Sequence, residues 1–424
     1  MRILIVNTSE NAGGAAVAAN RLMQALNHNG EKARMLVRDK ATDNISVVRL
    51  GSQWLQRWRF LWERFVIYVY CLFSRKHLFE IDIACAGADI TSLKEFKEAD
   101  IIHLHWINQG MLSLTDIRKI LDSGKPVVWT MHDIWAATAI CHYTRDCNRY
   151  KSQCHNCKLL PGSGGHNDLA YKVWKRKKWM LDSGNIFFVA CSRWLEKEAK
   201  RSALLKGHYI TNIPNAIDTN VFCPTNKEEA RMYFRLPTDK YVILFVSQRV
   251  TDERKGMAYF IEAIERLVAK EPQLCEKTVI ALMGGHAEDV ASKLPLPVFP
   301  LGYLSKPQEI AMVYGTADVF VLPSLEDNLP NTIMEAMSCG VPCVAFNVGG
   351  IPEMIDHKKT GYLAEYRSAD DLAIGIHWVL NDGEAAKLRA QCLDKVYKTY
   401  SQSSVARKYM EVYNQALALS NYKL

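Results

Sequence analysis

The sequence predicts an α/β protein made of two doubly wound, Rossmann-like domains. Short apolar runs of strand length alternate with helical stretches along most of the chain. This alternation is typical of parallel sheets with helices on both faces. It forms two successive series, separated by a stretch that contains Pro214, Pro224 and Pro237. Two series predict two domains, which agrees with a length of 424 residues.

The first series opens with a strand at residues 3–6, a glycine turn at Gly13-Gly14 and an alanine-rich helix over 15–27. This order is the beginning of a βαβ unit. The later strands are apolar on both faces, as buried parallel strands are, and cover residues 100–105, 126–131 and 186–190. Helices are predicted near residues 113–122, 168–182 and 192–203.

The second series begins with a strand at residues 241–246 and a helix from 256 to about 270. Further strands are predicted at 279–283, 298–299, 318–322 and 341–346. A final helix over about 403–418 has no strand after it, and we expect it to pack back on the first domain. The predicted parts are an N-terminal domain (1–212), a linker (213–239), a second domain (240–395) and a C-terminal helical segment (396–424).

The composition is that of a globular protein, with 49% hydrophobic and 23% charged residues, and it excludes a disordered chain. A net charge of +8 suits an anionic substrate or a membrane surface, but equally a protein that binds neither. The apolar run after Met1-Arg2 is too short for a secretory signal, and no stretch reaches the roughly 20 apolar residues of a membrane span. We therefore expect a cytoplasmic protein.

Residues 53–74 combine three tryptophans, Trp54, Trp58 and Trp62, with interleaved arginines. A helix of this composition is typical of a segment that lies in a membrane interface. It also fits a helix of the first domain whose aromatic side chains are core and whose arginines are solvated. The first interpretation predicts peripheral contact with the cytoplasmic face of the inner membrane.

The most informative stretch covers residues 322–342, where a buried strand leads through a polar loop into a helix that begins near Asn331 and ends at Gly340. Asp327 and Glu335 are eight residues apart, one in the loop and one in the helix. Amides at a helix start suit a pyrophosphate, and a carboxylate one turn further can accept hydrogen bonds from a ribose diol. The loop follows the carboxyl end of a parallel strand, where such sheets bind ligands.

This stretch resembles the E-x7-E region of the retaining glycosyltransferases of family 4, which have the GT-B fold. The resemblance extends through most of the chain, and its other motifs occur in the family's order. They are Gly13-Gly14, residues 130–133 (Thr-Met-His-Asp), residues 213–218 (Ile-Pro-Asn-Ala-Ile-Asp), Gln248-Arg249 with Lys255-Gly256, and residues 349–353 (Gly-Gly-Ile-Pro-Glu).

The resemblance implies a role for individual residues of the second domain. Glu335 matches the glutamate that binds the ribose, and Arg249 and Lys255 match the basic pair that holds the diphosphate. Asp327 stands where the family usually has its first glutamate, near the donor sugar, and is one methylene shorter; Glu326 could share its task. The remaining predicted donor-binding residues are Asn328, Leu329, Asn331 and Thr332.

In the first domain, the resemblance implies that His132 faces the transferred sugar and that Gly13 and Gly14 let the backbone approach a ligand. Without it, His132 could equally be structural, and the two glycines a tight turn. His103 and His105 are predicted to be structural.

The activity implied is transfer of a sugar from a nucleotide-sugar donor, a UDP- or GDP-sugar, with retention of anomeric configuration. The acceptor implied is a saccharide or lipid-linked saccharide of polysaccharide biosynthesis, such as exopolysaccharide or lipopolysaccharide. The leaving phosphate would help to deprotonate the acceptor, and Arg249 and Lys255 would neutralise the leaving charge. The sequence has no Asp-x-Asp metal motif, and we expect no catalytic metal.

Cys141, Cys147, Cys154 and Cys157 lie within 17 residues. The Cys154-x-x-Cys157 spacing lets two thiolates share one metal on a turn, and four such thiolates predict a structural zinc ion. Unligated thiols or a redox-labile disulfide are the alternatives.

Two other classes of function fit parts of the sequence. One is a nucleotide-sugar epimerase or another enzyme of the same architecture, such as a phosphorylase that uses pyridoxal phosphate. The other is a zinc-bearing protein that binds nucleic acid, which basic charge and the cysteines would suit. The second leaves the motifs of the second domain unexplained, so we expect no nucleic-acid partner.

Overall fold

The computed structural model describes residues 1–382 and 384–421 of the chain. It divides into two compact units. The first comprises Met1–Ala216 together with the described residues from Val405 onward, and the second comprises Ile217–Ser404. Position 383 of the predicted second domain and positions 422–424 of the predicted C-terminal segment lie outside the described residues.

The first unit is a parallel sheet with helices on both faces. Its strands are β1 (Arg2–Ser9), β2 (Lys32–Asp39), β3 (Val47–Arg49), β4 (Ile101–Leu104), β5 (Val127–Met131), β6 (Ile186–Ala190) and β7 (Tyr209–Asn212). Their order in the sheet is β3-β2-β1-β4-β5-β6-β7. The central strands β4, β5 and β6 are buried along their whole length, which is why they appear in the sequence as continuous apolar runs.

The helices of the first unit follow its strands along the chain and also include the last helix. They are α1 (Gly14–His28), α2 (Gln53–Tyr70), α3 (Lys94–Glu98), α4 (Leu114–Asp122), α5 (Leu169–Leu181), α6 (Arg193–Lys200) and the last helix of the chain, Gln402–Asn421. One hydrophobic cluster contains side chains of β1, α1 and this last helix, among them Ile3, Ile5, Val405 and Tyr413. The last helix therefore covers one face of the first sheet.

The second unit repeats the architecture with six parallel strands. They are β8 (Tyr241–Arg249), β9 (Thr278–Gly285), β10 (Val298–Gly302), β11 (Val319–Leu322), β12 (Cys343–Phe346) and β13 (Gly361–Ala364), in the order β10-β9-β8-β11-β12-β13. Its helices are α7 (Lys227–Tyr233), α8 (Met257–Lys270), α9 (Pro272–Glu276), α10 (Glu288–Ala291), α11 (Pro307–Thr316), α12 (Asn331–Ser338), α13 (Ile351–Met354), α14 (Ala369–His377) and α15 (Ala385–Tyr400); Gln402–Asn421 is α16.

Shorter helical turns complete the chain: 3-10 turns at Trp135–Ala137, Arg149–Lys151, Pro161–Ser163 and Glu253–Lys255, and a π-helical turn at Trp378–Asp382. Two doubly wound parallel sheets confirm the predicted α/β fold class. Helix α7 lies inside the stretch that the prolines mark as a linker. Among the described helices, none has the length and apolarity required to cross a bilayer.

Candidate functional site

Each sheet has one place where the strand order reverses, and the predicted site residues lie beside these two places. In the second unit the order reverses between β8 and β11, and in the first between β1 and β4. In open parallel sheets, ligands bind outside the carboxyl ends of the strands at such a switch point, because the connections on either side diverge and leave a crevice. Both units therefore offer a ligand site at the position where the motifs occur.

In the second unit, a cation and a carboxylate from neighbouring connections meet. Lys255 ends the 3-10 turn that follows β8, and Asp327 lies in the loop that follows β11. Lys255 Nζ donates to Asp327 Oδ2 at 2.5 Å, and Ser324 Oγ donates to the same oxygen at 3.2 Å. Burial would raise the pKa of Asp327, but Lys255 and Arg254 outweigh it and hold that pKa below its ordinary value. Asp327 is therefore ionised at neutral pH.

The backbone of Asp327 is fixed by the loop that follows β12. Gly350 N donates to Asp327 O, and a Cβ built on Gly349 would lie 1.9 Å from the same oxygen. Gly349 also has a φ of 59°, in the left-handed region that side chains disfavour. The predicted Gly349-Gly350 motif thus serves to bring one loop into contact with the carboxylate-bearing loop.

Helix α12 presents a start without side-chain capping. Its N-cap is Pro330, no acidic residue lies in its first turn, and Thr332 Oγ1 is buried with no hydrogen-bond partner among the described residues. Unpaired amides at a helix start attract anions, and an unsatisfied buried hydroxyl costs free energy until a ligand pairs it. Thr332 thus marks the start of α12 as a polar position suited to an anionic group, and Asn328 and Leu329 of the preceding loop are buried.

Glu335 lies one turn further along α12 and is almost fully buried. Tyr314 Oη, from α11, donates to Glu335 Oε2 at 3.0 Å. This hydrogen bond orients the carboxylate. Sequence reasoning missed Tyr314 and Ser324, because neither belongs to a motif and each acts through a contact that only the fold creates.

Arg249 stands at the exposed end of β8, and no described carboxylate lies within ion-pair distance of its guanidinium. Lys255, in contrast, is already paired with Asp327. The two predicted cations are therefore different: Arg249 offers an uncompensated charge, whereas the charge of Lys255 is shared with the Asp327 carboxylate.

In the first unit, β1 leads to Gly13, which precedes α1. Gly13 has a φ of 90°, and a Cβ built on it would have no atom within 4 Å. The space above this turn is open, and α1 begins there without a side-chain cap. There is room for a ligand next to the backbone at Gly13, and the ligand role of Gly13 and Gly14 stays a prediction.

His132 follows β5 and lies in a group of buried side chains. Its Nε2 is 2.9 Å from His105 Nδ1, and its Nδ1 is 3.4 Å from Cys191 Sγ. Burial lowers the pKa of His132 to about 4, which the nearby Asp133 only partly offsets. His132 is therefore neutral at physiological pH, and both its ring nitrogens have partners within the first unit. His105, predicted to be structural, contacts it directly.

Asp133 belongs to a chain of buried charges that the sequence did not reveal. His142 Nδ1 and Nε2 each lie 2.7 Å from a carboxylate, that of Asp133 and that of Asp82. Burial would lower the pKa of His142, but the two carboxylates raise it to about 10. His142 is therefore a cation, and Asp82 also pairs with Arg64 of α2.

The four clustered cysteines lie in the connection between β5 and α5. Burial, with a smaller contribution from the neighbouring thiols, raises the pKa of Cys141, Cys154 and Cys157 to about 12, 11 and 11. All four are reduced. In the described part of the chain, no three His, Cys, Asp or Glu side chains are arranged so that they could hold a metal ion. The zinc site stays a prediction.

Sequence comparison matches two families to this chain. The description "Glycosyltransferase Family 4" applies to residues 12–221, and "Glycosyl transferases group 1" to residues 240–382. The first range begins after β1 and contains β4, and the second contains both β8 and β11, the strands at the switch point of the second unit.

Two curated relatives illustrate the similarity. The N-acetyl-alpha-D-glucosaminyl L-malate synthase of Bacillus anthracis is 25% identical over 218 residues, which are 49% of this chain and 54% of that protein. An uncharacterized glycosyltransferase of Methanocaldococcus jannaschii is 25% identical over 360 residues, 80% of this chain and 90% of that protein. The chain thus spans about half the length of the first relative and most of the second.

Solved structures share the fold over nearly the whole chain. The sucrose-phosphate synthase of Thermosynechococcus elongatus superposes with a TM-score of 0.66 at 19% identity, covering 99% of both chains. The Anabaena protein HepE, in complex with UDP-glucose, superposes with a TM-score of 0.61 at 14% identity, covering 98% of this chain and 100% of that chain. At these identities the likeness shows the fold, which is GT-B.

Proposed function

Because the chain belongs to glycosyltransferase family 4, we propose that it transfers a sugar from a nucleotide-sugar donor to a saccharide or lipid-linked saccharide acceptor. The observation that carries this proposal is the arrangement at the switch point of the second unit. There Arg249, Lys255, the uncapped start of α12 and Glu335 provide cations, amides and a carboxylate in one connected region. These are the groups that a nucleoside diphosphate requires.

Each group has a defined task in the proposed binding of the donor. The diphosphate lies at the start of α12, where backbone amides and Thr332 Oγ1 donate to it. Arg249 supplies a positive charge without losing an existing ion pair. Glu335, held by Tyr314, accepts hydrogen bonds from the ribose hydroxyls. The solved complex of HepE with UDP-glucose supports a uridine donor; a GDP-sugar remains the alternative.

The proposed reaction retains anomeric configuration and needs no catalytic metal. As the bond between sugar and phosphate breaks, negative charge grows on the leaving diphosphate, and Arg249 and Lys255 stabilise it. The leaving phosphate takes the proton of the acceptor hydroxyl. Asp327, ionised and paired with Lys255, holds that lysine in place. His132, neutral at physiological pH, is proposed to face the transferred sugar.

The proposed donor site is tested with Glu335→Gln and Lys255→Ala. Replacing the Glu335 carboxylate removes charge-assisted hydrogen bonds worth about 1.5–3 kcal/mol, so we expect the Kd for the donor to rise at least tenfold. Lys255→Ala removes a group that stabilises the leaving charge, and we expect turnover to fall roughly 100-fold. Calorimetric titration against UDP-, GDP-, ADP- and dTDP-sugars measures the first effect, and product formation the second.

Lys270→Ala is the matched control, since Lys270 is an exposed lysine of the same unit paired with Asp370. It should bind and turn over the donor like the original chain. Wild-type donor binding by Glu335→Gln, together with wild-type turnover by Lys255→Ala, would show that the donor site lies elsewhere. NMR of the product's anomeric proton tests retention at the same time.

A further inference from the structure

Helix α2 has an orientation opposite to that of an ordinary amphipathic helix. Its buried side chains are Gln56, Glu63, Arg64 and Ile67, of which three are polar or charged. Most of its exposed side chains are aromatic or aliphatic: Trp54, Leu55, Trp58, Leu61, Trp62, Phe65, Val69 and Tyr70. Trp54, Trp58 and Trp62 are 67%, 54% and 53% exposed. A helix normally buries such residues, because burying a large apolar side chain is favourable.

The buried polar side chains explain why α2 does not rotate to hide its tryptophans. Glu63 Oε1 accepts hydrogen bonds from the backbone N–H groups of Ile83 and Ala84, at 3.1 and 2.7 Å. Arg64 pairs with Asp82 and donates to Leu78 O. If α2 rotated about its axis, Glu63 and Arg64 would lose these partners, and leaving a buried charge unpaired costs free energy. The rotation of α2 is therefore fixed, and its apolar face is held toward the outside.

The turn after α2 extends this apolar face. Leu72 and Phe73 are 72% and 64% exposed, and both have positive φ angles, 50° and 62°. Bulky side chains disfavour this backbone region, which glycine or asparagine would occupy at no comparable cost. Strain of this kind is found where a side chain is used in binding. We call Leu72, Phe73 and the exposed residues of α2 the aromatic face.

A basic helix lies beside the aromatic face. Helix α5 has exposed basic side chains at Lys172, Lys175, Arg176 and Lys178, and no acidic residue. Lys172 Nζ lies 5.7 Å from the centre of the Tyr70 ring, which joins α5 to α2. Residues 53–76, which carry the aromatic face, also contain Arg57, Arg59, Arg75 and Lys76. The single acidic residue of this stretch, Glu63, is buried.

We propose that the aromatic face and the basic side chains of α2 and α5 form one surface that docks on a bilayer of anionic lipids. Tryptophan is favoured at the headgroup level of a membrane, where its ring is partly apolar and its N–H is hydrated. Lysine and arginine side chains are attracted to anionic headgroups. A second copy of this chain is the less suitable occupant, because it would bring the same positive charges into contact.

This inference rests on the proposed function in one respect: a lipid-linked acceptor is the substrate that docking would serve. Docking itself needs only the first unit's surface, whereas donor binding belongs to the second unit. The two can therefore fail separately. A chain that binds vesicles but no nucleotide sugar would keep the docking surface and refute the proposed transferase site.

The test is sedimentation of the full chain with vesicles of phosphatidylcholine alone or with about one third phosphatidylglycerol. We expect binding to the anionic vesicles, weaker binding as salt is raised because the attraction is screened, and little binding to the neutral ones. The triple variant Trp58→Ser, Trp62→Ser, Phe65→Ser should bind at least tenfold more weakly. The variant Lys172→Glu, Lys175→Glu, Arg176→Glu should lose the preference for anionic lipid.

The matched control is Tyr233→Ser with Met232→Ser, which removes exposed apolar side chains of the second unit and should leave vesicle binding unchanged. Because all substituted side chains are exposed, thermal unfolding should be the same for each variant. Failure of the original chain to bind anionic vesicles, or equal binding by the tryptophan variant, would overturn the proposal. Self-association that the tryptophan variant abolishes, without vesicle binding, would assign the surface to a second copy instead.

Discussion

At the scale of single residues, His142 shows how a buried cation can organise its surroundings. It stands between Asp82 and Asp133, each at 2.7 Å. Asp133 also accepts from Trp106 Nε1 and from the backbone N–H of Trp135. One imidazolium therefore fixes a carboxylate that lies directly beside His132. We infer that His142 positions the loop after β5 and does not itself contact substrate.

We predict that His142→Gln destabilises the fold by about 3 kcal/mol or more, because it leaves two buried carboxylates without their shared cation. Denaturant unfolding followed by circular dichroism measures this loss. The control is His286→Gln, where an exposed histidine pairs with the exposed Asp289 and the change should stay below about 0.5 kcal/mol. Equal stabilities of the two variants would contradict the role given to His142.

The residues that could be predicted are those that stand in a motif. Asp327, Glu335, Arg249 and Lys255 follow the pattern of strand, loop and helix, and the structure brings Lys255 and Asp327 into contact. Tyr314 could not be predicted, because its partner Glu335 lies 21 residues away in the sequence. The same holds for the contact of His142 with Asp82, which lies 60 residues away. Only folding decides which distant carboxylate such a side chain meets.

At the scale of elements, the strongly apolar strands were the predictable ones. Strands β4, β5, β6 and β11 are buried throughout, so their sequences are continuous apolar runs. Strands β2 and β7 were not predicted, since their exposed positions carry lysine, arginine or tyrosine and break the run. The rotation of α2 was also not predictable, because its composition permitted both an apolar core face and an apolar outer face.

The connection between β5 and α5 contains the cysteine cluster. Between β5 and α5 the structure has only short 3-10 turns, so the connection has little hydrogen-bonded secondary structure to hold it. We predict that Cys141, Cys147, Cys154 and Cys157 bind one zinc ion, which would draw the four thiols together and fold this connection. Metal analysis of protein purified without added metal should give about one equivalent per chain.

Removal of that zinc with a chelator should lower the unfolding temperature and expose four additional titratable thiols. The variant Cys154→Ser with Cys157→Ser should retain no zinc, whereas Cys223→Ser, outside the cluster, should retain it fully. Less than a tenth of an equivalent in the original chain would refute the zinc prediction and favour free thiols or a disulfide.

At the scale of the whole molecule, the first unit is assembled from both ends of the chain. Helix α16 adds Val405, Tyr409 and Tyr413 to the core that β1 and α1 form. Tyr409 Oη is hydrogen-bonded to Thr130 Oγ1, and Tyr413 Oη to His103 Nδ1, both at 2.8 Å. The composition of the C-terminal stretch predicts a helix, but these two polar contacts could not have been read from it.

We predict that the first unit of a chain ending at Ser401, which lacks α16, unfolds at a lower temperature. Without α16, several large side chains are lost from the core around Ile3 and Ile5. Burial of each such side chain contributes about 1.5–3 kcal/mol to the free energy of unfolding. Differential scanning calorimetry should show one transition at a lower temperature, while UDP-sugar binding by the second unit persists. A control chain ending at Leu419 should unfold like the original, and an unaltered transition in the shorter chain would contradict the prediction.

The place of α16 also determines the order in which a ribosome can complete the two units. Domains usually fold from the N-terminus as they emerge during synthesis. Here residues 217–404 contain the whole second unit and emerge before α16, so the unit that begins last can be finished first. Throughout that interval, one side of the nascent first sheet stays uncovered, with buried-type residues such as Ile3, Ile5 and Val189 open to solvent. Synthesis of α16 therefore closes the first unit, and termination before this helix leaves an exposed apolar sheet face that chaperones can bind.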